Sequence, residues 1–395
     1  MISPLIRLSH VTFQASNAQK LIKNLVDKYR FHPFAVRSLQ GGSPCQVALR
    51  NGGVVFMVNE NNLKTYKNSV MLFDSPLPIP FPDTACNVSF EVDDVPGLCR
   101  RLVGEGCQLL VPPMQLHDDF GSVTYCIVKS IVGNVNHTLI DRSHYKANFL
   151  PGFDYFECEN NLFSSNIKYI DHVTYACPRG ETRYILEWYR RCFGFQHFPL
   201  SEGEDPGRGF EISGPGIGLR LTSMACTSLN EGCKIVVAES LPQEGPNQID
   251  QFLKHHKKGG IQHIALSTPC ILKTTRELSE LGVCFAKQPS SYYSHPRKRE
   301  EIYSVELKPE LLSQFGILLD SAQRNASQDT YKKFLLQVFA EPLFYKDSVY
   351  LEFIERRMAE GFGEGNIRAL WHSMQNIQED LHLKEQEVGT PTVAQ

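Results

Sequence analysis

Two stretches of the chain open with almost the same residues, Leu8-Ser-His-Val-Thr-Phe13 and Ile170-Asp-His-Val-Thr-Tyr175. Apolar and polar residues alternate in both, with the period of a half-buried strand. A helical pattern follows each stretch, and short runs rich in β-branched residues come after it. Each stretch therefore predicts the first strand of a unit with one helix and three further strands, and their likeness indicates an internal duplication.

Two further stretches begin units of the same type, Cys86-Asn-Val-Ser-Phe-Glu-Val92 and Ile261-Gln-His-Ile-Ala-Leu266. A polar, turn-rich segment from Cys158 to Asn166 separates the second unit from the third, as a linker would. Four units in this order predict an α+β fold with two domains of two units each. We place the N-terminal domain at residues 5–150 and the C-terminal domain at residues 165–360.

The chain ends with a glycine-rich run, Gly361-Phe-Gly-Glu-Gly-Asn366, followed by an amphipathic pattern. Asn366 is a suitable helix cap, and apolar residues recur after it at helical spacing, at Ile367, Leu370, Trp371, Met374, Ile377 and Leu381. The pattern predicts a helix within residues 361–383 and a disordered polar tail at residues 384–395. Two interpretations stay open: a terminal helix that packs on the core, or a gate that moves on the glycine-rich run.

The composition favours a small-molecule partner. The 395 residues carry a formal net charge of −3, with 40 Lys and Arg against 43 Asp and Glu. Nucleic acids and anionic membrane surfaces are bound through basic patches, which this balance does not favour. No apolar run reaches the roughly 18 residues of a membrane span, so we expect no transmembrane segment.

The 12 cysteines are scattered without a C-x-x-C pair or zinc spacing, which is typical of reduced thiols in an intracellular protein. Three basic residues, Arg7, Lys20 and Lys23, precede the first acidic residue, Asp27, and this weakly favours a mitochondrial address. The first predicted strand begins near Ile6, so few residues precede it that could form a cleavable targeting segment. The cytoplasm is therefore the alternative location. A homodimer is an assembly state that the sequence leaves open.

Three side chains that can bind a metal recur at matching places in the last two units. His172 and His263 lie on the first strands of the third and fourth units, and Glu352 lies on the last strand, Val349-Tyr-Leu-Glu-Phe-Ile-Glu-Arg-Arg357. A buried carboxylate needs a partner, because isolated burial costs several kcal/mol. Two histidines and one carboxylate form a facial triad, which suits Fe(2+) and leaves positions for a chelating substrate and O₂.

Each of these residues alone also has an ordinary structural interpretation. A strand histidine is usually a satisfied core or surface residue, and a half-buried glutamate usually pairs with Arg or Lys. The N-terminal domain provides an internal comparison, because the counterparts of the three ligands are His10, Asn87 and Thr138. Asn and Thr are poor iron ligands, so we expect one metal site, in the C-terminal domain. We interpret His255-His256, beside Lys257-Lys258, as an exposed helix end.

Five longer runs carry a resemblance to a known family: Tyr169-Ile-Asp-His-Val173, Gly260-Ile-Gln-His-Ile-Ala-Leu266, Phe334-Leu-Leu-Gln-Val-Phe339, Tyr350-Leu-Glu-Phe-Ile-Glu355 and Gly361-Phe-Gly-Glu-Gly-Asn366. Over nearly its whole length the chain resembles the 4-hydroxyphenylpyruvate dioxygenase family. The resemblance implies the vicinal-oxygen-chelate fold, in which βαβββ units form open barrels, and this agrees with the four units above. It also implies an Fe(2+)-dependent oxygenase that takes an aromatic α-keto acid and O₂.

The same resemblance implies which position selects the product. In the ring-hydroxylating dioxygenase a phenylalanine follows the glycine-rich run and packs on the aromatic ring of the substrate, whereas this chain has Ile367. Related 4-hydroxymandelate synthases carry a small aliphatic residue there and oxidise the benzylic carbon. The resemblance therefore implies conversion of 4-hydroxyphenylpyruvate to 4-hydroxymandelate and, for this branch of the family, mitochondria and the coenzyme Q head group. The alternatives are formation of homogentisate and a binding protein that has lost turnover.

Further pocket residues are carried over from the resemblance. The resemblance makes Gln248, Gln262 and Gln337 polar contacts with the substrate, and Phe339 and Phe362 aromatic walls of the pocket. Asn366 corresponds to a gate residue, and Tyr350 takes the place of a phenylalanine. Each glutamine has the alternative of an ordinary strand or surface hydrogen bond. With Ile367, the predicted substrate-binding set is Gln248, Gln262, Gln337, Phe339, Tyr350, Phe362, Asn366 and Ile367.

Two departures from the family pattern concern the substrate. Lys234 stands where the dioxygenase has a small hydroxyl residue before Ile-Val-Val-Ala. The loop after this strand is shorter, so the family's substrate-binding asparagine has no clear counterpart between Glu239 and Gln248. A lysine aimed into the cavity could bind a phenolate or a carboxylate, or could extend to solvent. The identity of the substrate therefore stays open at this point.

Overall fold

The structure is a computed structural model with two halves, each built around one β-sheet. It describes residues 5–38, 44–60, 71–75, 82–156, 166–198, 205, 208–214, 217–226, 234–241, 247–321, 333–359, 361–363 and 365–367. The predicted linker therefore lies almost wholly outside the described residues. So do the predicted tail and all but the first turn of the predicted C-terminal helix.

The N-terminal half contains β1 (Leu5–Ala15), β2 (His32–Ser38), β3 (Pro44–Asn51), β4 (Val54–Glu60), β5 (Thr84–Val92), β6 (Leu109–Asp118), β7 (Gly121–Lys129), β8 (Asn136–Asp141) and β9 (Asp154–Tyr155), with helices α1 (Ala18–Asp27) and α2 (Val95–Gly104). The sheet order is β6-β7-β8-β5-β1-β4-β3-β2-β9. The first and last strands of each unit pair in parallel, β1 with β4 and β5 with β8, and β1 pairs with β5 in antiparallel fashion. The half thus holds two βαβββ units.

The C-terminal half contains β10 (Ile170–Cys177), β11 (Gln196–His197), β12 (Phe210–Gly214), β13 (Ile217–Ala225), β14 (Lys234–Ser240), β15 (Gly260–Ser267), β16 (Leu318–Ser321), β17 (Phe334–Phe339) and β18 (Tyr350–Arg357), with helices α3 (Thr182–Phe193), α4 (Gln248–His256), α5 (Ile271–Glu280), α6 (Ser290–Ser294), α7 (Pro296–Ser304) and α8 (Pro309–Phe315). The sheet order is β11-β13-β14-β10-β15-β18-β17-β16, and β12 pairs with β13. The pairing rule of the first half recurs, with β10–β14 and β15–β18 parallel and β10–β15 antiparallel. The predicted α+β fold of tandem βαβββ units is confirmed.

The central strand pairs of the two sheets share two irregularities. β1 and β5 shift register directly before His10, and β10 and β15 shift directly before His172. A second shift follows Thr12 in the first pair and Thr174 in the second. Bulges redirect side chains and are frequent beside functional sites. Their matching places support the duplication and make His10 and His172 structural equivalents.

The two halves share one apolar core. Tyr29 of the N-terminal half stacks on Phe353 of β18, with ring centroids 6.4 Å apart. Because side chains alternate along a strand, Phe353 faces the N-terminal half while Glu352 points to the opposite face. The N-terminal half therefore supports the strand that carries a predicted ligand. Helices of both halves contribute buried side chains to this core, among them Leu21, Leu25, Leu98, Leu102, Ile185, Trp188, Ile271 and Leu278.

Two features are absent from the part of the chain that the structure describes. No helix there is both long enough and apolar enough to cross a membrane. The ten cysteines in that part form no disulfide.

One prediction about a helix end is wrong. His255 is exposed, but His256 is only 2% exposed. The Nδ1 and Nε2 atoms of His256 lie 2.8 Å from the Lys258 carbonyl oxygen and 3.1 Å from Thr84 Oγ1 of the other half. Burial lowers the pKa of His256. The neighbouring lysines indicated that both histidines are exposed. The chain instead turns at Lys257, which has a φ of 69°, and His256 lies in the contact between the halves.

Gly53 marks another contact between the halves, and this contact has no room for a side chain. The Gly53 amide donates a hydrogen bond to the Lys168 carbonyl oxygen at 2.9 Å. A Cβ at position 53 would lie 2.3 Å from the same oxygen. The two backbone segments would have to separate to accept it.

We expect Gly53→Ala to lower the free energy of unfolding by about 1–3 kcal/mol, because the added methyl group forces this close backbone contact apart. Gly104→Ala is the matched control, since a Cβ at position 104 meets nothing within 4 Å. Urea denaturation of both variants measures the difference. Equal stability of the two variants would contradict the contact.

Candidate metal centre

Three side chains from adjacent strands of the second sheet converge at one point. His172 on β10 and His263 on β15 place their Nε2 atoms 3.5 Å and 3.3 Å from Oε2 of Glu352 on β18. One donor atom from each residue lies within 4.8 Å of the others, and the described residues hold no second cluster of this kind. Two imidazole nitrogens and one carboxylate oxygen form a donor set that suits a divalent transition metal.

The other ring nitrogen of each histidine also has a polar partner. His172 Nδ1 lies 2.9 Å from Asp171 Oδ1, and His263 Nδ1 lies 3.0 Å from Gln262 Oε1. Both partners are acceptors, so they favour the tautomer with its proton on Nδ1. This tautomer leaves the Nε2 lone pair directed at Glu352, as a metal ligand requires.

The electrostatic field at this point favours a cation. Burial alone would raise the pKa of Glu352, which is 1% exposed, but the two histidines lower that pKa to about 2. Burial would lower the pKa of His172, but the Glu352 charge and the hydrogen bond to Asp171 outweigh burial and raise it. At His263 burial outweighs Glu352, and the pKa is lowered. The negative field that favours a proton on His172 also favours a metal ion there.

A buried ion pair connects His172 to the end of the described chain. Arg356 donates from Nε and Nη2 to the two carboxylate oxygens of Asp171, at 2.6 and 2.8 Å. Burial alone would raise the pKa of Asp171, but Arg356 holds it well below its usual value. Arg356 also donates from Nη1 to the carbonyl oxygens of Ala359 and Gly361. The pair therefore orients His172 and fixes the segment before the glycine-rich run.

A second chain of hydrogen bonds starts at Glu352. Gln337 Nε2 donates to Glu352 Oε1 at 3.3 Å, and Asn366 Nδ2 donates to Gln337 Oε1 at 2.8 Å. Tyr292 donates its hydroxyl to Asn366 Oδ1 at 2.8 Å and accepts from the Leu319 amide at 3.0 Å. The last described helical turn covers residues 365–367, so Asn366 lies inside it. The prediction that Asn366 caps this helix is wrong, because its side chain holds Gln337 instead.

The glycine-rich run packs tightly on these residues. Gly363 has a φ of +77°, and a Cβ there would lie 1.5 Å from Gln337 Oε1, so only glycine fits. The neighbouring Phe362 is buried and meets the His172 ring edge-on, with centroids 4.9 Å apart. Ile367 packs against the same apolar cluster as Phe362. The run thus closes over the ligands in this structure, and its movement stays a prediction.

A cavity of about 690 Å³ opens beside the three ligands. This volume lies in the range of small-molecule sites. Asn366 is absent from the lining, because it is buried behind Gln337. Tyr350 stacks on the His263 ring with centroids 5.0 Å apart, and burial raises its pKa. The other seven predicted pocket residues line the cavity: Gln248, Gln262, Gln337, Phe339, Tyr350, Phe362 and Ile367.

Several lining residues were not predicted. They form an apolar wall made by Leu219, Leu221, Val236, Ala238, Ile249 and Phe252. Those on β13 and β14 follow the two-residue period of a strand face, and this was the signal that could have identified them. Asn247 also lines the cavity, but its side chain caps α4 and donates to the Gly218 carbonyl oxygen at 2.6 Å.

Lys234 lies beside His172 in the parallel register of β10 and β14. Its Nζ is 5.2 Å from the ring centroid of Phe198 and 5.6 Å from that of Phe362. These distances are typical of cation–π contacts. Lys234 thus contacts two aromatic side chains, Phe198 and Phe362, and is not among the residues that line the cavity.

The matching positions of the first sheet hold no such cluster. His10 Nε2 lies 3.1 Å from Ser89 Oγ, and Asn87 Nδ2 donates to Thr138 Oγ1 at 2.8 Å. Asn87 also donates to Asp74 Oδ1 at 2.9 Å. A carboxylate of the chain itself therefore binds Asn87, the counterpart of His263.

Asp74 is buried in a set of amide donors. Besides Asn87, the side-chain amides of Asn59 and Gln14 donate to its Oδ2. Burial raises the pKa of Asp74 to about 6, although the three amides act in the opposite direction. The N-terminal half thus satisfies its polar centre with hydrogen bonds.

Comparisons with known proteins agree with this geometry. Residues 169–300 match the family model described as Glyoxalase/Bleomycin resistance protein/Dioxygenase superfamily. A 4-hydroxyphenylpyruvate dioxygenase-like protein of Mus musculus is 38% identical over 95% of this chain and 98% of its own length. The 4-hydroxyphenylpyruvate dioxygenase of Yarrowia lipolytica is 32% identical over 93% of this chain and 91% of its own.

A solved structure shares the fold. It is a triple mutant of 4-hydroxymandelate synthase from Streptomyces coelicolor, with a TM-score of 0.74 and 22% identity. The alignment covers 95% of this chain and 99% of that one. The predicted vicinal-oxygen-chelate arrangement is confirmed.

The raised pKa of Asp74 predicts a pH dependence of stability. The folded state binds this proton more tightly than the unfolded state, so the contribution is present below about pH 4 and is lost as the pH rises through about 6. We expect the free energy of unfolding to fall by up to about 3 kcal/mol over this window from Asp74 alone.

Asp74→Asn removes this titration, so the slope of unfolding free energy against pH should become less negative. Urea denaturation at several pH values between 4 and 7 measures the slope. Asp93→Asn, at an exposed position, is the control and should keep the original slope. An unchanged slope for Asp74→Asn would contradict the assignment.

Proposed function

Because the chain belongs to the 4-hydroxyphenylpyruvate dioxygenase family, we propose that it is an Fe(2+)-dependent oxygenase that forms 4-hydroxymandelate and CO₂ from 4-hydroxyphenylpyruvate and O₂. The observation that carries the proposal is the triad beside a cavity of about 690 Å³. The atoms balance: the carboxylate of the substrate leaves as CO₂, one oxygen atom of O₂ enters the new carboxylate at the former keto carbon, and the other becomes the benzylic hydroxyl. A small aromatic acid is the substrate class.

The donor set fits iron. His172, His263 and Glu352 would hold the ion on one side, and the cavity lies on the other. Iron bound there would supply the activation of O₂ for oxidative decarboxylation. Asp171 and Gln262 keep both histidines in the ligating tautomer, so the ligands are oriented before the substrate arrives.

The cavity wall suits an aromatic acid. Phe339, Tyr350 and Phe362 supply ring faces and edges near the ligands, and Gln248 supplies an amide. Gln337 already donates to Glu352 and accepts from Asn366, so its role is to position the carboxylate ligand. Phe362 and the tight turn at Gly363 exclude water from the side of His172.

The choice of product is assigned to Ile367. This side chain lines the cavity and packs with Phe362. An aromatic side chain at position 367 would stack on the aromatic ring of the substrate and hold that ring toward the oxidant. An aliphatic side chain gives no such stacking, so the benzylic carbon of the substrate lies nearest to the oxidant. The second candidate, formation of homogentisate, is favoured by the likeness to the dioxygenase of Yarrowia lipolytica. The third candidate is a binding protein of the same fold without turnover.

The proposal includes a mitochondrial location and a supply of the coenzyme Q head group. The basic residues that precede Asp27 support the location, with the cytoplasm as the alternative. Microscopy of the full chain with a C-terminal tag decides between the two compartments.

The test is aerobic incubation with Fe(2+) and 4-hydroxyphenylpyruvate, with O₂ uptake recorded and products separated by mass and retention. We expect 4-hydroxymandelate as the main product. Ile367→Phe should move the product toward homogentisate, and Ile367→Leu, which stays aliphatic, is the matched control. An unchanged product ratio in Ile367→Phe would refute the role of Ile367. Absence of O₂ uptake would refute the oxygenase and leave the binding protein.

A second measurement concerns metal retention without turnover. Arg356→Gln removes the ion pair that orients His172 through Asp171, so we expect the affinity for Fe(2+) to fall by roughly 10–100-fold. Arg357→Gln is the control, because Arg357 pairs with Glu355 instead. Anaerobic metal titration compares the two variants. Equal affinities would show that the Asp171–Arg356 pair does not position the ligand.

A further inference from the structure

Two thiols from different halves of the chain lie side by side, and the proposed function does not use them. Cys107 stands between α2 and β6 of the N-terminal half, and its Sγ is 3.3 Å from Sγ of Cys192 in the last turn of α3. Neither residue lines the cavity beside the metal ligands. A disulfide joins its sulfur atoms at about 2 Å, so these two atoms have only about 1 Å left to close.

Charged side chains hold the backbone on both sides of the two thiols. Arg101 of α2 donates from Nη2 to the Cys192 carbonyl oxygen at 2.6 Å. Glu105, which directly follows α2, pairs with Arg191 at 2.9 Å. The ends of α2 and α3 are therefore fixed against each other, and the thiols stay adjacent in the folded chain.

The same end of α3 already packs into the N-terminal half. The Tyr189 hydroxyl oxygen lies 2.7 Å from His137 Nε2, and the ring centroids of Phe193 and His137 are 5.6 Å apart. A bond between Cys107 and Cys192 would thus join two surfaces that are in contact without it.

The two thiols differ in access to solvent. Cys107 is half-buried between the exposed residues Gly106 and Gln108, whereas Cys192 is fully buried. A hydrogen bond from the Cys192 thiol and the nearby Arg191 charge lower the pKa of Cys107, although burial acts against them. A thiolate that solvent can reach is the form that reacts with oxidants. Cys107 is therefore the thiol that meets an oxidant, and Cys192 is placed to react next.

We propose that Cys107 and Cys192 form a reversible disulfide between the two halves when a peroxide oxidises Cys107. The Cys107 thiolate attacks one peroxide oxygen, the O–O bond breaks, and hydroxide leaves and takes up a proton. The Cys192 sulfur then attacks the sulfenic sulfur of Cys107 and releases water. In total, two thiols and one hydrogen peroxide give one disulfide and two waters. A dithiol returns two electrons and two protons and restores both thiols.

A second close pair of thiols provides an internal comparison. Cys99 Sγ lies 2.6 Å from Cys126 Sγ, closer than the atoms of the proposed pair. These two residues are 2% and 0% exposed, so a peroxide in solution does not reach them in the folded chain. If access selects the pair that reacts, Cys107–Cys192 forms and Cys99–Cys126 does not.

The experiment uses the reduced full chain, with a chelator present because iron converts peroxide to radicals. Hydrogen peroxide is raised stepwise until the exposed thiols Cys270 and Cys284 have reacted. Remaining thiols are alkylated, and all 12 cysteines are mapped by mass spectrometry after digestion without reduction. We expect the Cys107–Cys192 crosslink, and we expect dithiothreitol to remove it.

The rates of the two close pairs test the role of access. Cys107–Cys192 should form at least about tenfold faster than Cys99–Cys126 in the folded chain. The proposal is overturned if Cys107 and Cys192 are still reduced when the exposed thiols have reacted. It is equally overturned if Cys107 pairs with another cysteine, or if Cys99–Cys126 forms as fast.

Variants assign the two roles. In Cys192→Ala, Cys107 should stop at the sulfenic acid, which dimedone traps, and in Cys107→Ala, Cys192 should stay reduced. Cys99→Ala is the matched control and should form the Cys107–Cys192 crosslink as the original chain does. Should Cys192→Ala fail to fold, Cys107→Ala at its half-buried position decides. Oxidation of Cys192 in Cys107→Ala would contradict the order of the two steps.

Thermal unfolding tests whether the crosslink fits the folded chain. The two cysteines stand 85 positions apart, so their disulfide closes a long loop and restricts the unfolded chain. We expect Tm of the oxidised chain to rise by roughly 3–8 °C and to return after dithiothreitol. An oxidised chain that unfolds at the same or a lower temperature would contradict a disulfide built into the native contact.

Discussion

The burial of the Glu352 carboxylate is the constraint around which the C-terminal half is arranged. At 1% exposure an ionised carboxylate is stable only when its neighbours compensate for the lost water. Two imidazoles and the Gln337 amide provide that compensation, and each comes from a different strand. The strand order β10-β15-β18-β17 brings all four together, so the topology and the chemistry depend on the same pairing.

Two separate hydrogen-bond chains extend from this carboxylate and its partner to the end of the described chain. One runs from His172 through Asp171 to Arg356, and the other runs from Glu352 through Gln337 to Asn366. The glycine-rich run is therefore connected to two ligands by different routes. A change at the ligands alters the support of this segment, and a shift of the segment alters the ligands.

Repetition and strand alternation carried the sequence predictions furthest, because both are local patterns. They located four units and the three ligands, and His172, His263 and Glu352 indeed meet. The Arg356–Asp171 pair was missed, since its partners stand 185 positions apart and no pattern links them. Helices α6 to α8 were missed because they are short, and their positions depend on packing. His256 was misplaced because neighbouring lysines mask a buried side chain.

The Asp74 carboxylate marks a difference in how the two halves complete their polar centres. The N-terminal half completes its polar centre with its own side chains, because the Asn87 and Asn59 amides donate to Asp74. The C-terminal half instead gathers two imidazoles and a carboxylate, a donor set that suits a divalent metal ion. Duplication has thus left the chain with one polar centre that its own side chains complete and one that is built from donors of the metal-binding kind.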